Sequence, residues 1–117
     1  MKILIVDDEP EILSIVAKWL SQKGHDAVTT SDAERALDLV ESGDFNAVLL
    51  DLIIPHASGL NLISRIHELK PGLPVVVMSV IEDTRVAVLA AKEGIEGYVT
   101  KPIEFDKLES ILSRLHS

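Results

Sequence analysis

Short runs of wholly apolar residues alternate along this chain with longer stretches of helical period. Ile3-Leu4-Ile5-Val6, Ala47-Val48-Leu49-Leu50 and Val75-Val76-Val77-Met78 are apolar at every position. Runs of that kind suit strands covered on both faces, as in a parallel sheet packed between helices. The pattern predicts β1 over Lys2–Val6, β2 over Ala27–Thr30, β3 over Ala47–Leu50, β4 over Pro74–Met78 and β5 over Gly97–Thr100.

Helical period fills the intervals. The first predicted helix, α1, runs from Pro10 to about Lys23, with Pro at its start, Gly24 beyond its end, and Ile12, Val16, Trp19 and Leu20 at helical spacing. In α2, Ser31 and Glu34 stand at capping-box spacing ahead of an inward face of Ala33, Ala36, Leu37 and Val40. From about Ser58 to Leu69, α3 carries Leu62, Ile66 and Leu69 on one face, with Pro71-Gly72 after it. The fourth, α4, spans roughly Asp83 to Glu93 and stops at Gly94, while α5, from Phe105 to Leu115, shows Leu108, Ile111, Leu112 and Leu115. Strict strand–helix alternation argues for an α/β parallel sheet, and right-handed crossovers restrict it to a few doubly wound topologies. No repeat, low-complexity segment or linker interrupts the pattern, so one domain occupies residues 1–117.

Composition narrows the picture. With 47% hydrophobic and 26% charged residues the chain has a globular rather than a disordered profile. The absence of cysteine excludes disulfides and thiolate metal sites. A formal net charge of −8, from 11 Lys and Arg against 19 Asp and Glu, speaks against direct nucleic-acid or anionic-lipid binding, which needs a basic footprint. No apolar run approaches membrane-spanning length, and the opening run stops at Asp7-Asp8, too short for a signal-peptide core; the expected location is the cytoplasm.

In open parallel sheets, ligands sit outside the carboxyl ends of the strands, near the switch in winding direction. At those ends this chain places Asp7 and Asp8, then Asp51, then Ser79, then Lys101; only β2 ends without a notable group, at Thr30-Ser31. If β1 and β3 are neighbours, three carboxylates converge and repel unless a cation neutralises them. A hard divalent ion such as magnesium suits that donor set, and Lys101 adds a fixed positive charge. Plainer readings stand beside these. Asp7 and Asp8 also suit a helix N-terminus, Asp51 a loop cap, Lys101 and Ser79 ordinary surface and strand-end positions, and Tyr98 half-buried packing. Trp19 reads as packing on α1. His25, His56, His67 and His116 share no ligand spacing and read as surface groups.

The segments Ile5-Val6-Asp7-Asp8-Glu9-Pro10, Leu49-Leu50-Asp51-Leu52 through Pro55 and Gly59, Val77-Met78-Ser79, and Gly97-Tyr98-Val99-Thr100-Lys101-Pro102 occur in order on the right strand ends. On them the chain resembles the chemotaxis-regulator-like receiver domains of two-component response regulators, over its whole length. The resemblance implies a flavodoxin-like fold with strand order 2-1-3-4-5 and five helices. It implies that Asp51 is the phosphoacceptor in a His-to-Asp phosphorelay, and that Mg2+ is held by Asp8 directly, Asp7 through water, Asp51, and the backbone carbonyl of Ile53. Lys101 would pair with the acceptor carboxylate and then the phosphoryl oxygens. Ser79 would move to donate its hydroxyl to the phosphoryl group, and Tyr98 would follow by turning inward. The implied partners are a sensor histidine kinase or histidine phosphotransfer protein, an output domain or partner reading the α4-β5-α5 surface, and a second copy forming a homodimer through that surface. It further implies a cis Lys101–Pro102 peptide, and a protein that catalyses only its own phosphorylation and dephosphorylation.

The chain departs from that family's pattern at Ile54, where methionine is usual, at Ile95, commonly alanine, and at Val80, where alanine or glycine is usual. Ile53 and Ile81 stand at flanking positions that are often polar, which predicts a long-lived acyl phosphate. Val88, Leu89 and Ile95 read as surplus apolar surface near the switch face. Three other readings compete with this one. A magnesium-dependent phosphohydrolase with an aspartyl nucleophile would want an acid two residues after Asp51, where Ile53 stands. A nucleotide-binding module would want a Gly-rich loop after β1, where Asp7-Asp8-Glu9-Pro10 stands. A structural pseudo-receiver would not retain all the site residues.

Overall fold

One parallel sheet carries the chain, with β1 (Lys2–Val6), β2 (Asp26–Thr30), β3 (Ala47–Asp51), β4 (Val75–Val80) and β5 (Gly97–Lys101) in the spatial order 2-1-3-4-5. This computed structural model describes the chain except residues 55, 56, 81–83, 85–87, 89, 90 and 117, and the backbone alone of 57–60 and 116.

The apolar runs are explained by their place in the sheet. Every residue of β3 and all but the first of β1 are buried, because both strands are central and both their faces are covered. Alternate residues feed opposite layers, as the two-residue period of a strand requires. Leu4, Val6, Val48, Leu50, Val75 and Val77 pack with Ala36, Leu37 and Val40 of α2 (Ala33–Ser42) and Leu62, Ile63 and Ile66 of α3 (Gly59–Leu69). Ile3, Ile5, Leu49, Val76, Met78 and Val99 pack with Val16 and Leu20 of α1 (Pro10–Gln22) and Leu108, Ile111 and Leu112 of α5 (Phe105–His116). Trp19 contributes packing as expected, its ring centroid 5.2 Å from that of Phe105.

Several boundaries differ from the sequence reading, each for a local reason. The N-cap of α2 is Asp32, whose side chain accepts from Glu34 N–H at 3.3 Å; Ser31 lies one residue too early to do so. Ser58 belongs to a short antiparallel pair, Ile53–Ile54 with Ala57–Ser58, so α3 starts one residue later. Ile63 completes the inner face of α3, whereas Leu69, its last residue, is 39% exposed. Pro74 has no N–H for the ladder, and β4 begins at Val75. At the other end, Asp51 pairs with Met78, Ser79 with Thr100 and Val80 with Lys101, so these residues are held inside the ladder rather than following it. Residues 91–93 are the described end of α4; its expected start at Asp83 lies outside the described residues.

Two glycines have structural reasons. Gly24 takes φ +86 just after α1, a conformation that L side chains rarely adopt. A Cβ on Gly97 would lie 3.0 Å from Ile111 Cδ1, so its absence lets α5 pack close on β5. The Lys101–Pro102 peptide is cis. Among the described residues no helix is long and apolar enough to cross a membrane.

Candidate functional site

The chain leaves β1 outward to β2 and returns across the sheet to β3, so the switch in winding lies between β1 and β3. Val6 pairs with Leu50, which sets Asp7 and Asp51 side by side at the next position. Both acids are buried, and each has one oxygen tied to nearby backbone: Asp7 Oδ1 accepts from Glu9 N–H at 2.9 Å and Asp51 Oδ1 from Ile53 N–H at 3.0 Å. Their second oxygens meet one ammonium. Lys101 Nζ lies 2.8 Å from Asp7 Oδ2, 3.0 Å from Asp51 Oδ2 and 2.8 Å from Glu9 Oε1.

The three contacts are not equivalent. Lys101 donates hydrogen bonds to Glu9 and Asp51 and meets Asp7 as an ion pair. Asp7 Oδ2 is thus a buried acceptor without a donor. Burial pushes the Asp7 carboxyl above the usual carboxylate range, Lys101 and the Glu9 N–H pull it back, and the Asp51 charge adds to the rise. For Lys101, burial disfavours the charge, yet Asp7, Glu9 and Asp51 outweigh it and raise its pKa. The ammonium is a permanent part of the site.

Asp7, Asp8, Glu9 and Asp51 each offer a carboxylate oxygen, all within 4.8 Å of one another. With the donorless Asp7 Oδ2 among them, this all-oxygen set fits a hard divalent cation. The sequence pattern assigns Glu9 no role of its own. It is the N-cap residue of α1, yet its side chain makes no capping bond and turns to Lys101 instead. Spacing along the chain carries no sign of that contact, which depends on the Lys101 side chain reaching from the end of β5 back across the sheet toward the end of β1.

A cleft of about 210 Å³ opens over these groups, lined by Asp8, Glu9, Asp51, Ile53, Ser79, Val80 and Lys101. Ile53 and Val80 form an apolar rim, 56% and 54% exposed; Ile81, expected beside them, lies outside the described residues. Ser79 is buried in the cleft wall, its hydroxyl donating to the Val80 carbonyl at 3.2 Å. Tyr98 stands apart, 40% exposed, with Lys107 Nζ 4.1 Å from its ring centroid. Of the expected apolar surface near it, Val88 is exposed, Ile95 instead packs on the core beneath α2 and α3, and Leu89 lies outside the described residues. Neither His25 nor His67 belongs to the acidic cluster; His67 faces Glu93 at 3.7 Å.

The response regulator receiver domain family matches residues 3–113, and the chain belongs to that family, a signalling domain of two-component systems. It is 30% identical over 115 residues to the transcriptional regulatory protein TcrA of Mycobacterium tuberculosis, covering 98% of this chain and 46% of that protein. To the DNA-binding transcriptional regulator NtrC of Azospirillum brasilense it is 33% identical over 112 residues, covering 96% and 23%. The chain therefore spans half or less of the length of these relatives. Among solved structures it is similar to a CheY-like receiver domain protein from Methanospirillum hungatei, with TM-score 0.89, 29% identity and coverage of 98% and 93%. It is likewise similar to the response regulator TrrA from Thermotoga maritima in complex with Mg2+-BeF, with TM-score 0.87, 29% identity and coverage of 97% of each chain. The fold is the flavodoxin-like α/β fold of these receivers.

Proposed function

We propose that this receiver accepts a phosphoryl group on Asp51 from a phosphohistidine, carried by a sensor kinase or a histidine phosphotransfer protein. One observation carries the reading: a single half-buried ammonium, Lys101, is shared by Asp7, Glu9 and Asp51 at the switch point of the sheet. An Asp51 oxygen forms the new O–P bond while the N–P bond breaks and its electron pair returns to the imidazole nitrogen. Asp7, Asp8 and Asp51, with the Ile53 carbonyl, would hold magnesium, which when bound supplies positive charge to the phosphoryl oxygens. The TrrA complex with Mg2+-BeF supports that assignment by similarity.

The chain's own part is preorganisation. Ile53 N–H and Lys101 hold the two Asp51 oxygens, so the nucleophile is oriented before a donor arrives. Lys101 then follows the charge onto the phosphoryl oxygens. Ser79 exchanges its bond to the Val80 carbonyl for one to the phosphoryl group, and Tyr98 turns inward after it. The changed α4-β5-α5 face signals to an output domain, a partner or a second copy of the chain. The domain works in the cytoplasm, catalyses only its own phosphorylation and dephosphorylation, and with its net charge of −8 makes no direct contact with nucleic acid.

The test is incubation with magnesium and acetyl phosphate followed by intact-mass measurement and mapping of the modified residue. One phosphoryl on Asp51, absent from Asp51→Asn, is the expected result. A phosphoryl mapped to a histidine or serine overturns the assignment.

A further inference from the structure

Tyr98 lies on β5, at the edge of the sheet, and its pairing with Val77 fixes its place two residues before Thr100, the partner of Ser79. Val99 packs among Leu108, Ile111 and Leu112 of α5, so by strand alternation Tyr98 leaves the opposite face. Even so, its ring is reached from α5: Lys107 Nζ sits 4.1 Å from the ring centroid. The approach is possible because α5 is pressed onto β5 at Gly97, where Ile111 occupies the space of the missing side chain. Lys107 is one helical turn before Ile111, on the same side of α5, and reaches around the edge of the sheet.

We propose that Lys107 is a positioning residue that holds the Tyr98 ring outward and thereby sets the resting balance of the switch. The proposal rests on the reading of Asp51 as phosphoacceptor and Tyr98 as its follower. A ring turned inward leaves the ammonium, so the contact exists in one state only, and only such differential contacts move a two-state equilibrium. A cation–π contact at an exposed site biases that equilibrium by roughly two- to fivefold. Glu104, one turn earlier on the same stretch of chain, accepts from Thr100 Oγ1 at 2.6 Å, and among the described residues no carboxylate pairs with Lys107. The sensor at the strand end and the ring that reports it are thus opposed by a lysine outside the phosphoryl site.

The chain has one tyrosine, so biosynthetic 3-fluorotyrosine gives one fluorine resonance for this ring. The full 117-residue chain is compared with Lys107→Met and Lys107→Arg, each with and without magnesium and acetyl phosphate, with intact mass recorded in parallel. The wild-type resonance should move on phosphorylation. In the resting Lys107→Met protein it should already lie part of the way along that same displacement, matching a two- to fivefold larger inward population, while Lys107→Arg stays at the wild-type position. A resting Lys107→Met resonance at the wild-type position, or displaced in another direction, overturns the proposal. So does a wild-type resonance that stays put while mass shows a phosphoryl on Asp51; in that case the acceptor reading survives and the latch does not. Absence of any phosphoryl on Asp51 overturns the acceptor reading and the proposal with it.

Discussion

Lys101 Nζ lies 3.0 Å from Asp51 Oδ2, while the other oxygen of that carboxylate accepts from Ile53 N–H at the same distance. The acceptor is therefore gripped at both ends, by a charge from β5 and by backbone of its own loop. Replacing the lysine removes the counter-charge from three acids at once. Lys101→Met should lower stability in magnesium-free buffer by about 3 kcal/mol, the range seen when one partner of a buried ion pair is deleted. Urea unfolding with and without magnesium measures it, and added magnesium should restore much of the loss.

Asp7→Asn should act in the opposite direction. Burial holds the Asp7 carboxyl above its ordinary range, so the site as a whole disfavours that charge. Lys101 keeps Glu9 and Asp51 after the change. Without magnesium the variant should be more stable than wild type at neutral pH. Because the folded-state pKa is raised, the wild-type deficit is full at neutral pH. It closes as pH falls through the raised pKa and the carboxyl gains its proton. A gap that widens on acidification would contradict the assignment.

Magnesium should raise the melting temperature of the wild type, since the carboxylates proposed to hold it come within 4.8 Å of one another only in the folded chain. At a free concentration a hundredfold above Kd the gain is about 2.7 kcal/mol. Asp8→Ala should lose most of that gain while melting near the wild type in chelator, because Asp8 is exposed and the fold does not depend on it. Scanning calorimetry across a magnesium series distinguishes the outcomes.

Phosphoryl lifetime should follow the rim. Hydrolysis needs a water in line with the acyl phosphate, and positioning supplies much of the rate. The side chains of Ile53 and Val80 are pure hydrocarbon at the rim of the cleft they line. An Ile53→Asn, Ile81→Glu double variant should lose the group about tenfold or more faster, in the range where general assistance to a water acts. Equal or slower loss, followed by mass against time, would show that the rim does not control water access.

Most of this architecture could be read from the chain because its central strands are continuous apolar runs and its acids fall at their ends. Asp7, Asp51 and Lys101 meet where their positions on β1, β3 and β5 led one to expect. What escaped depended on contacts between distant segments or on one-residue differences. Glu9 turns to a lysine 92 positions away. Asp32 caps α2 although Ser31 stands at the better-known spacing. Ile63 rather than Leu69 completes the inner face of α3, because that helix packs against both the sheet and α2 and needs a wider stripe than one ridge. Ile95 looked surplus in sequence and proves to be part of the lining beneath α2 and α3.

The acids that would do chemistry stand on or directly after β1 and β3, two of the three strands paired along both edges, whereas Tyr98 stands on β5, the last strand of the sheet. Freeing Asp7 or Asp51 from its place means tearing the middle of the sheet, an event as rare as global unfolding. Moving the Tyr98 ring disturbs, among the described residues, its contact with Lys107 at the border. The domain accordingly divides into an anvil and a bell: amides around Asp51 should exchange with solvent at the slowest rate in the molecule, and those flanking Tyr98 far faster. Substitutions that soften the centre would then abolish phosphorylation and folding together, while changes along the border would retune the signal and leave the chemistry untouched.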